Sequence, residues 1–311
     1  MTIRDAYKEG REELKLAGIP DAELDAWYLL EYVTGISRAA YYADPDRELA
    51  KKDREKYWAC LEKRKKRIPL QHITGEQEFM GLLFSVNKHV LIPRQDTEIL
   101  VEEALKLADK DMIPCENGKM RILDMCTGSG CILLSMLYYM GKPANGRVSV
   151  QGASPDGKAG ETASAPIAAE GIGADISEKA LLTARRNADD LGIKAEFVQG
   201  DLFENVSGRF ALILSNPPYI RTEEIGLLQE EVRLHDPREA LDGKEDGLYF
   251  YRRIIKEAKD YLLPGGYLVF EIGYDQAEAV RNLMSESRYT DITVKKDLAG
   301  LDRIVCGRYI K

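Results

Sequence analysis

A buried strand that ends in two prolines carries the most chemical information in this chain. Residues 211–215 read Ala-Leu-Ile-Leu-Ser and continue into Asn216-Pro217-Pro218-Tyr219. Proline neither extends a sheet ladder nor continues into a helix, so the segment predicts a strand with a stiff tip. At that tip the carboxamide oxygen of Asn216 and the strand-end carbonyls are fixed acceptors beside the flat face of Tyr219. Such a pocket suits a planar, conjugated NH2 group, a poor nucleophile that must be aimed at its electrophile.

A glycine-containing turn predicts a second site, for a nucleoside. The strand 121–124 continues into Asp124-Met125-Cys126-Thr127-Gly128-Ser129-Gly130 and then into an apolar helix. Glycines at a strand-to-helix turn let the main chain approach a ligand closely. The turn lacks the third glycine of a nicotinamide-binding motif, and the chain has no Gly-Lys-Ser/Thr phosphate loop. A nucleoside without phosphate fits better, and Asp124 is predicted to hold an ammonium group or a loop amide.

Acidic residues at the next two strand ends complete the predicted nucleoside site. Asp175 suits a ribose, although it follows Gly130 by 45 residues where about 20 are expected. Residues 141–170, rich in Gly, Ala, Ser and Pro, are interpreted as an exposed flexible insertion that accounts for the difference. Asp201 is placed to accept the amino group of adenine, with Leu202 and Phe203 covering the ring. Taken singly, each acid is more often a helix cap or a surface charge.

Alternating strands and helices from Thr97 onward predict a parallel sheet with helices on both faces. The last two strands have no helix between them, so one of them is expected to run antiparallel. Residues 1–76 are predicted to form a helical domain, 77–96 a β-hairpin linker and 97–311 the α/β domain. Strands are predicted near 121–124, 171–175, 195–199, 211–215, 267–271, 291–295 and 303–308, and helices are predicted to start near Thr97, Gly130, Ser177, Gly247 and Asp275.

Composition excludes several classes of protein. The net charge of −8 argues against a surface that coats duplex nucleic acid. Five scattered cysteines without paired metal-ligand spacing indicate reduced thiols in a cytoplasmic protein and no metal site. The charged N-terminus and the lack of a run of ~20 apolar residues predict neither a signal peptide nor a membrane span. Three histidines form no cluster, and the basic run 63–67 is interpreted as a solvated helix end.

Together, the glycine turn, Asp175, Asp201 and the tetrapeptide 216–219 resemble those of an S-adenosylmethionine-dependent amino-methyltransferase. With the hairpin 78–84 and the segments 91–94 and 236–241, nearly the whole chain is similar to the HemK-type release factor glutamine methyltransferases. The resemblance implies a seven-stranded, mostly parallel, Rossmann-like class I methyltransferase sheet. It also implies methylation of the side-chain amide nitrogen of the glutamine in the Gly-Gly-Gln loop of class I peptide chain release factors, which modulates translation termination.

The resemblance also assigns roles to residues. Asn216, Pro217, Pro218 and Tyr219 would hold the glutamine, with Asn216, Pro217 and Tyr219 catalytic. Transfer would be a direct in-line displacement, and the proton would leave afterwards to water. The residues that would contact S-adenosyl-L-methionine are Asp124, Cys126, Thr127, Gly128, Ser129, Gly130, Asp175, Asp201, Leu202 and Asn216.

The chain departs from the family pattern at three places. The family usually reads Pro-Arg-Pro-Glu-Thr-Glu where residues 93–98 read Pro-Arg-Gln-Asp-Thr-Glu, and it usually has glycine at the position of Cys126. The insertion 141–170 is also longer than the family's connection.

Three other functions remain open at this stage. An adenine amino-methyltransferase acting on nucleic acid uses the same tetrapeptide logic, although the small N-terminal domain, acidic to mixed in charge, favours a protein substrate. A ribosomal protein could carry the target glutamine. A cofactor-binding sensor that recruits partners through residues 63–67 is the non-enzymatic alternative.

Overall fold

The computed structural model describes residues 1–109, 113–116, 118–142 and 168–311. The predicted flexible insertion at 141–170 therefore lies almost entirely outside the described residues. The chain divides into two compact units: a helical unit of residues 1–76 and 228–235, and a sheet unit of residues 77–227 and 236–311.

The helical unit packs its helices around aromatic and aliphatic side chains. A capping box starts its first helix, since the Thr2 hydroxyl accepts from the Asp5 amide and the Asp5 carboxylate accepts from the Thr2 amide. Gly35, in the left-handed conformation, ends the second helix. The helices are α1 Ile3–Leu16, α2 Ala22–Thr34, α3 Arg38–Ala43, α4 Lys51–Lys65, α5 Leu70–Thr74 and, in the second stretch, α9 Glu230–His235.

A buried ion-pair cluster joins α2, α4 and α9 in this unit. The Arg64 Nε atom lies 2.7 Å from Asp25 Oδ2, with only 8% and 9% of the two side chains exposed. The Arg64 Nη1 atom also lies 3.1 Å from Glu231 Oε1, and Arg67 pairs with the same carboxylate. The interpretation of residues 63–67 as a solvated helix end is therefore wrong for Arg64, which faces acids that are distant in sequence.

The sheet unit contains a seven-stranded sheet in the order β5-β4-β3-β6-β7-β9-β8. Strand β9 pairs antiparallel with both neighbours, and the other pairings are parallel. This confirms the predicted mostly parallel α/β sheet in which one of the last two strands of the chain, β9, runs antiparallel. The strands are β3 Met120–Met125, β4 Ala169–Asp175, β5 Glu196–Gln199, β6 Phe210–Ser215, β7 Leu262–Glu271, β8 Tyr289–Lys296 and β9 Asp302–Tyr309; a separate hairpin joins β1 Glu76–Phe79 to β2 Leu82–Ser85.

Helices cover both faces of the sheet. One apolar cluster includes residues of α6 and α7, and a second includes residues of α11 and α12, so every residue of β6 is buried between them. The helices of this unit are α6 Gln95–Ala108, α7 Cys131–Met140, α8 Glu178–Leu191, α10 Arg238–Leu241, α11 Tyr249–Tyr261 and α12 Ala277–Glu286.

The order of the strands predicts where a ligand binds. From β3 the chain builds the sheet outward in one direction through β4 and β5, and then returns to the other side of β3 with β6. Parallel α/β sheets bind ligands outside the carboxyl ends of the strands at such a switch point. Here those ends are Met125 of β3, Asp175 of β4 and Ser215 of β6.

Candidate active site

A cavity of about 230 Å³ lies at this switch point. A cavity needs only about 10–15 Å³ of such space to hold one water, so this space suits a small molecule. Nine predicted site residues line it: Cys126, Thr127, Gly128, Ser129, Asp175, Asp201, Leu202, Asn216 and Pro218. Four others do not: Asp124, Gly130, Pro217 and Tyr219.

The glycine turn forms one wall of the cavity. Cys126 has a φ of +63°, a left-handed conformation that glycine adopts without steric cost. This gives a physical reason for the glycine that the family usually has at that position. At Gly130 an added Cβ would lie 3.1 Å from the Cβ of Ala184, so the absence of a side chain lets α8 pack closely against the turn.

Asp124 supports the turn from behind. It is completely buried, and its Oδ2 accepts from the Thr127 hydroxyl at 2.6 Å and from the Leu133 amide at 3.3 Å. Burial raises its pKa to about 7. The Leu133 amide belongs to the first turn of α7 rather than to a loop, and the predicted role of Asp124 in holding an ammonium group or a loop amide stays a prediction.

Asp175 lies between the turn and the cavity. Its Oδ2 accepts from the Gly128 amide and its Oδ1 from the Ser177 amide, both at 2.9 Å. Burial raises its pKa, while these hydrogen bonds oppose that shift. Because each carboxylate oxygen can accept two hydrogen bonds, both retain acceptor capacity toward the cavity.

Asp201 and its neighbours form the next part of the wall. The carboxylate of Asp201 accepts from Arg253 Nη1, with 2.9 Å to each oxygen. Leu202 has a φ of +55° and lines the cavity. Phe203, predicted to cover the ring with Leu202, does not line the cavity; it is buried in the core and stacks on Tyr261 with 4.6 Å between ring centroids. Arg253 was missed because it lies on a helix that is distant in sequence.

The tip of β6 presents two of its four tetrapeptide residues to the cavity. The Asn216 Nδ2 atom donates to the Thr97 hydroxyl at 3.4 Å. The Tyr219 hydroxyl turns away from the cavity and donates to Glu271 Oε1 at 3.4 Å. Burial raises the pKa of Tyr219 above its usual value and that of Glu271 to about 7. Sequence reasoning missed Thr97 and Glu271 as partners of the tip.

Main-chain contacts hold this tip in place. The Ser215 hydroxyl donates to the carbonyl of Met125 at 2.7 Å, which joins the tip to the glycine turn. Gln276 Nε2 donates to the carbonyl of Tyr219 at 3.0 Å. Gly243 packs directly on the backbone of Tyr219, since an added Cβ would lie 2.7 Å from its Cα atom. The rigidity that proline predicts is thus reinforced by segments that are distant in sequence.

Two sequence segments without predicted roles also line the cavity. They are 89–94 and residues 237, 239 and 240, together with Lys244 and Phe250. Both segments overlap stretches that carry the family resemblance, and that overlap was the only sequence signal that could have linked them to the site.

No group of three or more potential metal-ligating side chains occurs in the described ranges. Likewise, no helix in that part of the chain is long and apolar enough to cross a membrane.

The sheet order, the antiparallel strand near its edge and the cavity beside the glycine turn define a class I methyltransferase. The catalytic domain of hMettl16, solved with the MAT2A 3′UTR hairpin 6, shares this fold at 12% identity with a TM-score of 0.51, covering 81% of this chain and 82% of that one. The family described as "Methyltransferase small domain" matches residues 164–242.

Sequence relatives identify the family. The "PrmC N-terminal domain" family matches residues 5–75. The release factor glutamine methyltransferase of Caulobacter vibrioides is 39% identical over 310 residues, covering 99% of this chain and 96% of its own. That of Geobacter sulfurreducens is 37% identical over 308 residues, with the same coverage. The chain therefore belongs to the release factor glutamine methyltransferases, which are S-adenosylmethionine-dependent protein-glutamine N-methyltransferases. This confirms the resemblance drawn from the sequence.

Proposed function

We propose that this enzyme methylates the side-chain amide nitrogen of the glutamine in the Gly-Gly-Gln loop of class I peptide chain release factors. The observation that carries the proposal is the position of Asn216. It lines the same cavity as Asp175 and the glycine turn, and its Nδ2 atom donates one hydrogen bond to the Thr97 hydroxyl. The carboxamide oxygen thus remains as an acceptor for a planar NH2 group, which a glutamine side chain offers.

The residues of the wall fit the nucleoside part of S-adenosyl-L-methionine. Both oxygens of Asp175 keep acceptor capacity for the ribose hydroxyls, and Asp201 would accept the adenine amino group while Arg253 holds its carboxylate. Leu202 would pack on the ring. The turn residues 126–130 would flank the cofactor, with Cys126 to Ser129 lining the cavity directly and Asp124 and Gly130 supporting the turn.

The protein's contribution to the reaction is alignment. The bound cofactor supplies an already activated methyl group on a sulfonium. Asn216 Oδ1 and the Pro217 carbonyl would accept the two amide hydrogens of the glutamine, and Pro218 would close one side. Tyr219 would pack on the amide plane, so the glutamine would have to reach Pro217 and Tyr219 beyond the cavity wall. These contacts strengthen as positive charge grows on the nitrogen, so they favour the transition state over the ground state. The proton then leaves to water.

We propose that the predicted helical domain, residues 1–76, recognises the release factor, with 77–96 as the linker and 97–311 as the transferase domain. The proposal places the enzyme in the cytoplasm, where release factors act. It requires neither direct nucleic acid binding nor a membrane.

The decisive experiment measures transfer of labelled methyl to a purified release factor and to its Gln→Ala variant in the Gly-Gly-Gln loop. We expect labelling of the first only. Asn216→Ala should lower kcat by about 10²–10³-fold while calorimetry shows cofactor binding retained. Asn282→Ala, which removes an exposed amide on α12, is the matched control and should be fully active.

The same assay separates the other functions. Labelling of a purified ribosomal protein, or of DNA or RNA, in preference to the release factor would replace the proposal with a ribosomal-protein or an adenine methyltransferase. Cofactor binding without transfer to any of these acceptors would favour the sensor. Wild-type turnover in Asn216→Ala would refute the assignment of the tip as the substrate site.

A further inference from the structure

A buried carboxyl group lies behind the tip of β6, outside the cavity itself. Glu271 is the last residue of β7, and only 2% of it is exposed. Its Oε1 accepts from the Tyr219 hydroxyl, whereas its Oε2 is buried and has no hydrogen-bond partner among the described residues. A buried oxygen without a donor is energetically costly, so a nearby donor is expected to serve it.

Thr97 is the donor that the structure offers. It lies in the first turn of α6, is 3% exposed and lines the cavity. Its hydroxyl lowers the pKa of Glu271, which identifies it as a donor close to that carboxyl group. The same oxygen accepts from Asn216 Nδ2 at 3.4 Å.

The chemistry of this hydroxyl decides which way the Asn216 amide faces. A hydroxyl has one proton to donate and two lone pairs to accept with. If Thr97 donates to the carboxylate, it can only accept from Asn216, which must then turn its NH2 group toward Thr97. The Asn216 oxygen is left as the acceptor for substrate. The opposite orientation would present a donor to the substrate's own NH2 group.

Other charged groups near Glu271 are already paired. The guanidinium of Arg303 donates to Asp297 at 3.0 Å and lies 3.4 Å from Asp96. Its charge and the Tyr219 hydroxyl lower the pKa of Glu271, whereas burial, the largest effect, and Asp96 raise it. The Tyr251 hydroxyl donates to the backbone carbonyl of Glu271 and leaves the carboxyl free.

We propose that Glu271 and Thr97 are positioning residues for methyl transfer: the carboxylate receives the hydroxyl of Tyr219 on one oxygen and that of Thr97 on the other. It thereby fixes both the Asn216 amide and the Tyr219 ring for the substrate amide. The proposal rests on the function proposed above. The hydrogen bond from Asn216 to Thr97 and that from Tyr219 to Glu271 are each 3.4 Å long, and catalytic hydrogen bonds of this kind tighten when substrate binds.

A pair of variants at Thr97 tests the proposal. Thr97→Val keeps the shape and removes the hydroxyl, so kcat should fall about 10–100-fold while KM for the release factor and the Kd for cofactor change less than about threefold. Thr97→Ser restores the hydroxyl and should return kcat to within about threefold of wild type. Wild-type kcat in Thr97→Val, or an equal loss in Thr97→Ser, would overturn the proposal.

A pH profile tests Glu271 independently. Only the ionised form of Glu271 accepts hydrogen bonds from both hydroxyls. Because its pKa is raised to about 7, this carboxylate forms as the pH rises through that value. Wild-type kcat should therefore decrease as the pH is lowered below about 7. Glu271→Gln should have a low kcat that does not decrease further in that range. A Glu271→Gln profile that matches the wild type would contradict this role.

Two variants serve as controls for the loss of buried polar groups elsewhere in the sheet unit. Thr183→Val removes a buried hydroxyl, Glu103→Gln removes a buried charge, and neither residue lines the cavity. Both should keep wild-type kcat. A wild-type enzyme that labels no release factor refutes the proposed function, whereas an active wild type with an equally active Thr97→Val refutes only the positioning role.

Discussion

Replacing Gly243 with alanine tests whether the backbone of Tyr219 must stay where it lies. An added Cβ would be 2.7 Å from both the Cα and the carbonyl carbon of Tyr219, and 2.9 Å from the Cα of Gly247. Ordinary van der Waals contact begins at 3.4 Å, so the backbones must separate by about 0.7 Å, the difference between 3.4 and 2.7. No flexible side chain is available to absorb this shift, because every atom involved belongs to the main chain.

The expected effect follows from this displacement. A misplacement of 1 Å at a reacting group costs about 10²-fold in rate, so a shift of about 0.7 Å in Gly243→Ala should lower kcat/KM for the release factor by about 25-fold. The measurement is initial-rate transfer of labelled methyl at varied release factor concentration. Calorimetric titration with S-adenosyl-L-methionine should show unchanged affinity, because Gly243 lies outside the cavity wall.

Gly226→Ala is the matched control for this variant. An added Cβ at Gly226 meets no atom within 4 Å, and Gly226 has no positive φ, so this variant should keep wild-type kcat/KM. If Gly243→Ala bound cofactor normally and also kept wild-type kcat/KM, the position of the Tyr219 backbone would not limit catalysis, and the alignment argument would fail.

Three further predictions concern buried charges and thiols. Burial raises the pKa of Asp124 from 3.8 to about 7, so the folded protein pays for ionising this group as the pH rises. The unfolding free energy of the wild type relative to Asp124→Asn, measured with urea, should therefore fall by roughly 4 kcal/mol from pH 4 to 8. A difference between the two proteins that stays constant with pH would contradict this. Arg64→Ala leaves Asp25 buried without its 2.7 Å partner and should cost about 3–5 kcal/mol in urea unfolding, whereas a loss below about 1 kcal/mol would argue against it. Iodoacetamide at pH 8 should alkylate the exposed Cys115 and leave Cys131 unmodified. The pKa of Cys131, raised to about 12 by burial, leaves about one thiolate in 10⁴ at that pH. Peptide mass mapping would measure the modification of each cysteine, and equal labelling would refute the prediction.

Local sequence signals predicted the elements that carry the site. The apolar run before Pro217 predicted a strand that ends at Ser215, and β6 ends there. Ser177 was predicted to start a helix, and its hydroxyl accepts from the Ala180 amide as an N-cap. Such signals work because proline, glycine and capping side chains act on the backbone within a few residues.

The direction in which equivalent side chains face was not predictable in this way. Asp124 and Asp175 both lie at the carboxyl ends of neighbouring parallel strands, and the sequence assigned both to the cofactor. Asp124 faces inward against Thr127 and Leu133 and is completely buried, whereas Asp175 reaches the cavity. Whether each carboxylate faces the core or the cavity depends on how its strand is placed under the glycine turn. The residue type alone does not determine that placement.

The sequence by itself determined the class of fold, the two candidate sites and the family, because strand ends, glycine turns and the Asn-Pro-Pro-Tyr tip are encoded within short segments. Only the tertiary structure decided what surrounds the tip. Thr97, Gly243 and Glu271 come from three segments that lie far from residue 216 in the chain. Sheet order and helix packing bring them together, and contacts of this kind depend on the whole fold.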